Sequence, residues 1–157
     1  MEESITLDDF LAYYKQCMGL EPVDAGTYSP LVLAYIGDAV YELIIRSKVI
    51  NRGSMQVNKM HKHSALLVKA SAQAQLIKAL EEDLTPEEHA VFKRGRNAKS
   101  TTIAKNATMI DYRMATGMEA LVGWLFLNEQ YGRLAELVSL GLKKAGLLQE
   151  TDDKPLH

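Results

Sequence analysis

The run Leu33-Ala34-Tyr35-Ile36-Gly37-Asp38-Ala39-Val40-Tyr41-Glu42-Leu43 is apolar at helical spacing on more than one side, yet carries an acid in its middle. Leu33, Ile36, Val40, Tyr41, Ile44 and Ile45 set the pattern, and Ser29-Pro30 offers an N-cap followed by proline at the first helical position. The spacing predicts a helix from Pro30 to about Ile50, broken by Asn51-Arg52-Gly53. A helix apolar around most of its girth belongs in a core. A carboxylate among such neighbours is costly unless it caps, pairs or binds a cation. Gly37, directly before it, costs about 1 kcal/mol against alanine in a helix interior, which points to a second backbone or a ligand approaching closely.

Outward from that run, the helical period persists. Leu7, Phe10, Leu11, Tyr14 and Met18 follow the N-cap candidate Thr6 and predict an amphipathic helix ending near Gly19. Ser54 caps a third predicted helix to about Glu82, whose small residues from Ala70 to Ala74 permit close helix approach. Thr85-Pro86-Glu87-Glu88 is a capping box with proline at the first position, opening a short helix that should stop at Gly95. Arg96 to about Lys105 lacks an apolar face and reads as a loop. Helices over about 109–129 and 132–145 follow, and the polar tail Gln149–His157 reads as frayed. No strand, repeat or linker stands out. The expected architecture is one all-α domain over residues 1–157, with its core at about 28–145.

The chain has 157 residues, 18 Lys and Arg against 20 Asp and Glu, and one cysteine. That length suffices for a core without staples. Cys17 cannot form an internal disulfide and has no metal-ligand spacing around it; it reads as a small hydrophobe on the first helix. No run reaches a membrane span and the N-terminus Met-Glu-Glu-Ser is acidic where a signal peptide is basic, so a cytoplasmic protein with no membrane partner is expected. A net charge of −2 argues against a phosphate-gripping domain only if the charge is uniform. It is not: residues 46–80 hold seven bases and no acid, residues 91–118 hold six bases and one acid, and residues 1–45 hold eight acids and one base. Local fields follow that segregation more than the sum, although basic helix faces can also be merely solvated.

Glu119 repeats the pattern of Asp38. It lies in Ala115-Thr116-Gly117-Met118-Glu119-Ala120-Leu121-Val122-Gly123-Trp124-Leu125, inside an apolar helix and beside small residues. Two such acids on different core helices suggest convergence on a shared cation, which hard oxygen ligands without cysteine make Mg²⁺ or Mn²⁺. Glu42, four residues after Asp38, either shares its face or lies at the surface, and Asp111, alone in a basic block, reads as an ion-pair partner. His61 and His63 diverge on a helix, and the four histidines form no catalytic set. Phe92-Lys93-Arg94-Gly95-Arg96-Asn97-Ala98-Lys99-Ser100 offers guanidinium forks, an amide and a hydroxyl to phosphates, or else is a solvated turn.

Ala34-Tyr35-Ile36-Gly37-Asp38-Ala39-Val40 resembles the signature helix of the ribonuclease III nuclease domain, and Met118-Glu119-Ala120-Leu121-Val122-Gly123 resembles its second acidic motif. The length, the Arg94–Ser100 run and Asp111-Tyr112-Arg113 before Ala115-Thr116 are similar to the short branch, Mini-ribonuclease III, over about residues 28–145. The resemblance implies the helical ribonuclease III fold and an endoribonuclease cutting double-stranded RNA, with Asp38 and Glu119 as metal-holding catalytic residues. Where larger relatives carry two further acids, this chain has Ala34 and Thr116, a departure shared by the short branch. Mg²⁺ tolerates the reduced set because it commonly takes one or two carboxylates and fills its octahedron with water and phosphate oxygens.

The resemblance further implies a homodimer, no separate double-stranded-RNA-binding module after Glu119, 5′-phosphate and 3′-hydroxyl product ends, and precursor 23S ribosomal RNA as substrate. The nuclease domain would then hold its own RNA through Arg94, Arg96, Asn97 and Lys99, with Lys62 and Lys69 in support. A non-catalytic RNA-binding protein of ribosome assembly on the same fold is the rival reading, kept open by Ala34 and Thr116.

Overall fold

The structure, a computed structural model, describes residues 6–51, 53–98 and 108–148. Among them are seven α-helices and no strand: α1 (Leu7–Cys17), α2 (Pro30–Asn51), α3 (Val57–Val68), α4 (Ala70–Ala79), α5 (Pro86–Asn97), α6 (Met109–Leu127) and α7 (Tyr131–Lys144). Single 3₁₀ turns at Ala25–Thr27 and Glu81–Asp83 complete the regular structure. The all-α expectation holds.

Helix α6 is central, with α2, α5 and α4 packed around it and α7 closing the side formed by α4. Its composition explains that position, because ten of its residues from Met114 to Leu125 are buried, on every side of the helix. Tyr41 and Ile45 of α2, Leu76 and Ile77 of α4 and Phe92 of α5 are fully buried against it. Burying each such side chain contributes about 1.5–3 kcal/mol.

Local signals account for most boundaries. Thr6 accepts from the Asp9 amide, and Thr85 and Glu88 form the expected reciprocal capping box. Glu88 does more than cap: it is 3% exposed and receives two hydrogen bonds from Arg133, each 2.8 Å. Arg133 also donates to the Asp83 carbonyl at 2.7 Å, so one guanidinium ties α7 to the start of α5. The Arg133 hydrogen bonds hold the Glu88 carboxyl below its ordinary range, against the opposing effect of burial.

Four expectations are corrected. The third helix is two helices, α3 and α4, because Lys69 adopts an extended conformation (φ −63°, ψ 154°); α3 begins after Gln56 rather than after Ser54. Helix α5 continues through Gly95 to Asn97, so Arg96 and Asn97 are helical. Gly95 is there for close packing rather than as a stop: a Cβ on it would meet the Ala120 methyl at 2.8 Å. Helix α2 is not buried all round. Leu33, Ala34, Gly37, Tyr41, Ile45 and Val49 face the core, while Leu31, Val32, Tyr35, Leu43 and Ile50 are exposed. Fourth, Cys17 is free and exposed on α1. The Gln149–His157 tail lies outside the described residues.

Candidate active site

The two singled-out acids meet where α2 crosses α6. A Cβ on Gly37 would collide with the Glu119 carbonyl oxygen and come within 2.7 Å of the Gly123 amide nitrogen. A Cβ on Gly123 would collide with the Leu33 carbonyl oxygen. Each helix therefore presents a glycine to the other's backbone, and the crossing is as close as backbone atoms permit. Asp38 follows Gly37, and Glu119 is one turn before Gly123. Their adjacency is a consequence of the crossing.

The pair is graded in burial. Asp38 stays exposed at the mouth, which corrects the expectation that it is enclosed by the helix's apolar residues, whereas Glu119 is half-buried. Burial first and then the Asp38 charge push the Glu119 carboxyl up to about 7. Desolvation, then Glu42, raises Asp38 as well. Glu42 is at the edge of this acidic field and is paired with Arg46 at 3.4 Å, so it both shares the face and remains at the surface. Among the described residues, the charges that act on Glu119, those of Asp38 and Glu42, are both negative.

Two residues that sequence reasoning did not assign stand behind the pair. Gln73 of α4 is 2% exposed; its Nε2 donates to the Val68 carbonyl at 2.7 Å, and its amide lies beside the Glu119 carboxylate, where it opposes the rise that burial causes. Tyr41, three residues after Asp38, donates its hydroxyl to the Leu67 carbonyl at 2.8 Å. Burial and the Glu119 charge raise the Tyr41 phenol. The signal for Gln73 was present: it shares a helical face with Leu76 and Ile77, where an uncharged polar side chain needs a reason to be buried.

Ala34 is buried and Thr116 donates its hydroxyl to the Tyr112 carbonyl at 3.0 Å, so neither adds a charge to the site. Asp111 sits in the first turn of α6, where its charge faces the positive end of the helix; it appears in no ion pair among the described residues.

The basic residues border α6 from another side. Phe92 and Gly95 of α5 pack on Gly117, Ala120 and the Thr116 carbonyl, the turn of α6 that contains Glu119. Arg94 and Asn97 are exposed at this docked end. Arg96 lies over the Phe92 ring at 5.6 Å and donates to the Asn97 side chain at 3.3 Å. Lys62 is exposed on α3, and Lys69, at the α3–α4 break, lines a cleft with Lys48 and His63. Lys99 lies outside the described residues.

A divalent cation fits the donor set. Asp38 and Glu119 offer hard oxygens, their mutual repulsion calls for positive charge, and the Gln73 amide beside Glu119 has an Oε1 that is buried without a partner among the described residues. No group of three or more His, Cys, Asp or Glu side chains forms a protein-built metal cage among the described residues. Such a site suits an ion that keeps much of its water, as Mg²⁺ does.

Comparison with known proteins agrees with this geometry. Residues 31–130 match the family model of the Ribonuclease III domain. The crystal structure of protein FN1578 from Fusobacterium nucleatum superposes with a TM-score of 0.69 at 30% identity, covering 78% of this chain and 96% of that one. The fold and its paired acids define a ribonuclease III-type endoribonuclease. The chain is 51% identical to Mini-ribonuclease 3 of Clostridium tetani over 118 residues (74% of this chain, 78% of that protein). It is 48% identical to Mini-ribonuclease 3 of Enterococcus faecalis over 126 residues (79% and 93%). The chain belongs to the Mini-ribonuclease 3 family.

Proposed function

We propose that this protein is a Mg²⁺-dependent endoribonuclease, with Mn²⁺ a substitute, that cuts both strands of double-stranded RNA through Asp38 and Glu119. The observation that carries this reading is the Gly37–Gly123 crossing. It forces two carboxylates together in a setting that raises one to about 7, and no positive charge among the described residues acts to lower it. Structural purposes do not explain that arrangement, since setting a half-buried carboxylate beside a second like charge is unfavourable.

Asp38, in solvent contact, and Glu119, below it, would hold the cation between them. When bound, it supplies the Lewis acidity that activates a water for in-line attack on phosphorus and neutralises charge on the leaving oxygen. Breaking the bond from phosphorus to the 3′ oxygen leaves 5′-phosphate and 3′-hydroxyl ends. Arg94, Arg96 and Asn97, docked beside the Glu119 turn, together with Lys99, would position the backbone, with Lys62 and Lys69 extending the contact. A-form RNA suits such a surface, because it is recognised largely through phosphates, 2′-hydroxyls and shape.

We further propose a single nuclease domain acting in the cytoplasm on precursor 23S ribosomal RNA as a homodimer. The exposed Leu31, Val32 and Tyr35 on α2 support the dimer, since contiguous apolar surface of this kind marks an interface. No helix among the described residues is long and apolar enough to cross a membrane.

The deciding experiment incubates the protein with an end-labelled RNA duplex in Mg²⁺, with EDTA and Asp38→Asn as controls. Cleavage that needs metal and is lost in the variant is the expected result. Duplex binding that leaves the RNA intact across Mg²⁺ and Mn²⁺ would instead establish a non-catalytic binding protein.

A further inference from the structure

The side chain of Gln73 is placed among acceptors. On one side is the Val68 carbonyl, 2.7 Å from Nε2, and on another the Glu119 carboxylate. Val68 is the last residue of α3, and its carbonyl is released because Lys69 leaves the helical conformation. The Leu67 carbonyl before it is taken by Tyr41, which lies three residues after Asp38. Two buried side chains near Glu119, Gln73 and Tyr41, thus reach the same helix break.

Only an uncharged amide meets these demands. One side chain must donate to the Val68 carbonyl while presenting a donor toward the Glu119 carboxylate, which a hydroxyl with a single proton cannot do. Lysine or arginine could donate twice, but would bring a fixed positive charge beside Glu119 and compete with a cation. A glutamate would repel it. The amide of Gln73 has two donors and no charge, and its remaining atom, Oε1, is a buried acceptor without a partner among the described residues. An orphan of this kind is unfavourable, so it calls for a donor that arrives with a ligand. The waters of a hydrated divalent cation are such donors.

Building on the nuclease reading above, we infer that Gln73 is a positioning residue for the cation site: its amide nitrogen ties Glu119 to the end of α3, and its Oε1 accepts a hydrogen bond from the hydration shell of the ion. Partners of this type, one step behind the ligands, typically change metal affinity by about 10–100-fold when removed. Gln73 touches neither substrate nor ion directly, and its contribution is the orientation of Glu119 and the retention of water around the metal.

The test measures Mn²⁺ binding to the full chain without RNA, by electron paramagnetic resonance, for wild type, Gln73→Leu, Gln73→Met and Asp38→Asn. Melting temperature and duplex-cleavage kinetics accompany it. The expected result is an intact fold at room temperature, Mn²⁺ affinity lowered at least about tenfold in both Gln73 variants, and a fall in kcat with KM for the duplex unchanged. Two outcomes would overturn the inference: wild-type Mn²⁺ affinity in folded Gln73 variants, or loss of folding in both, which would make Gln73 a structural tie alone. If wild type binds no Mn²⁺ that Asp38→Asn removes, the nuclease reading itself falls; if that binding exists and the Gln73 variants share it, only the present inference does.

Discussion

The backbone of Gly37 lies directly against the carbonyl oxygen of Glu119, leaving no room for a methyl group between α2 and α6. The helix crossing and the placement of the acids are therefore one structural fact. Gly37→Ala should cost about 3 kcal/mol or more, beyond the usual range for overpacking, because the atoms it meets are backbone and cannot rotate away. Gly132→Ala is the control: nothing lies within 4 Å of a Cβ there, and removing a helical glycine should leave stability unchanged or raise it by up to about 1 kcal/mol. Urea unfolding of both variants checks this; equal stabilities would contradict the crossing geometry.

Glu119 holds its proton more tightly in the folded chain, near 7, than at its ordinary value of 4.5. A raised acid makes folding less favourable once ionised, so the metal-free protein should lose stability as pH rises from about 4.5 to about 7. Glu119→Gln removes that loss. It should melt higher than wild type at pH 8 in EDTA while losing cleavage activity. Because a cation binds the ionised pair, the rise in melting temperature on adding Mg²⁺ should grow across the same window in wild type and vanish in the variant. Melting curves from pH 5 to pH 8, with and without Mg²⁺, measure both effects; identical pH slopes for the two proteins would rule them out.

What could be read in the sequence and what could not divides along a physical line. Gly37-Asp38 and Glu119 with Gly123 were legible because each violates a local preference: glycine and ionised carboxylates are costly inside apolar helices, and a cost with no local return implies a partner. The Thr85–Glu88 box was legible because capping is a short-range interaction. The break at Lys69 was not, since Leu66-Leu67-Val68-Lys69-Ala70 contains neither glycine nor proline. It is sustained by Tyr41, 26 residues away in sequence from the carbonyl it binds, and by Gln73, through hydrogen bonds that no local pattern encodes. Gly95 shows the converse error: a glycine that looked like a helix stop serves contact with Ala120, and the helix continues through Arg96 over Phe92.

The Glu88–Arg133 pair links residues 45 apart and carries the α5–α7 junction. Glu88→Ala removes a nearly buried bidentate pair and half of a capping box, which together should cost about 3 kcal/mol at neutral pH. The lowered carboxyl sets the pH dependence: its contribution is present above its ordinary value of 4.5 and is lost as pH falls through the depressed folded value. Acid titration monitored by circular dichroism should therefore show a shallower loss of stability in the variant than in wild type below about pH 4.5.

Arg94 is exposed at the end of α5, whereas Arg96 is held over Phe92. If both contact phosphate, Arg94→Ala and Arg96→Ala should each weaken duplex binding at low salt and reduce the slope of log affinity against log salt by about one unit. Arg96→Ala should in addition lower thermal stability slightly through loss of the ring contact. Filter binding in the presence of EDTA, over a series of salt concentrations, separates binding from cleavage; unchanged slopes in both variants would remove these residues from the RNA interface.

Tyr35 is 83% exposed on the helix that carries Asp38, and Leu31 and Val32 extend its apolar surface. This is the apolar surface that a second copy would cover in the dimer proposed above. In that case Tyr35→Glu, which places a charge in the interface without touching the α2–α6 crossing, should convert a dimer to a monomer while leaving the melting temperature of the isolated fold and the Asp38–Glu119 pair intact. The variant should lose affinity for duplex RNA by much more than one arginine substitution causes, because a monomer presents one basic surface where a dimer presents two. Sedimentation velocity on both proteins decides the matter: a wild type that sediments as a monomer, or a variant that remains dimeric, would place the subunit contact elsewhere or abolish it.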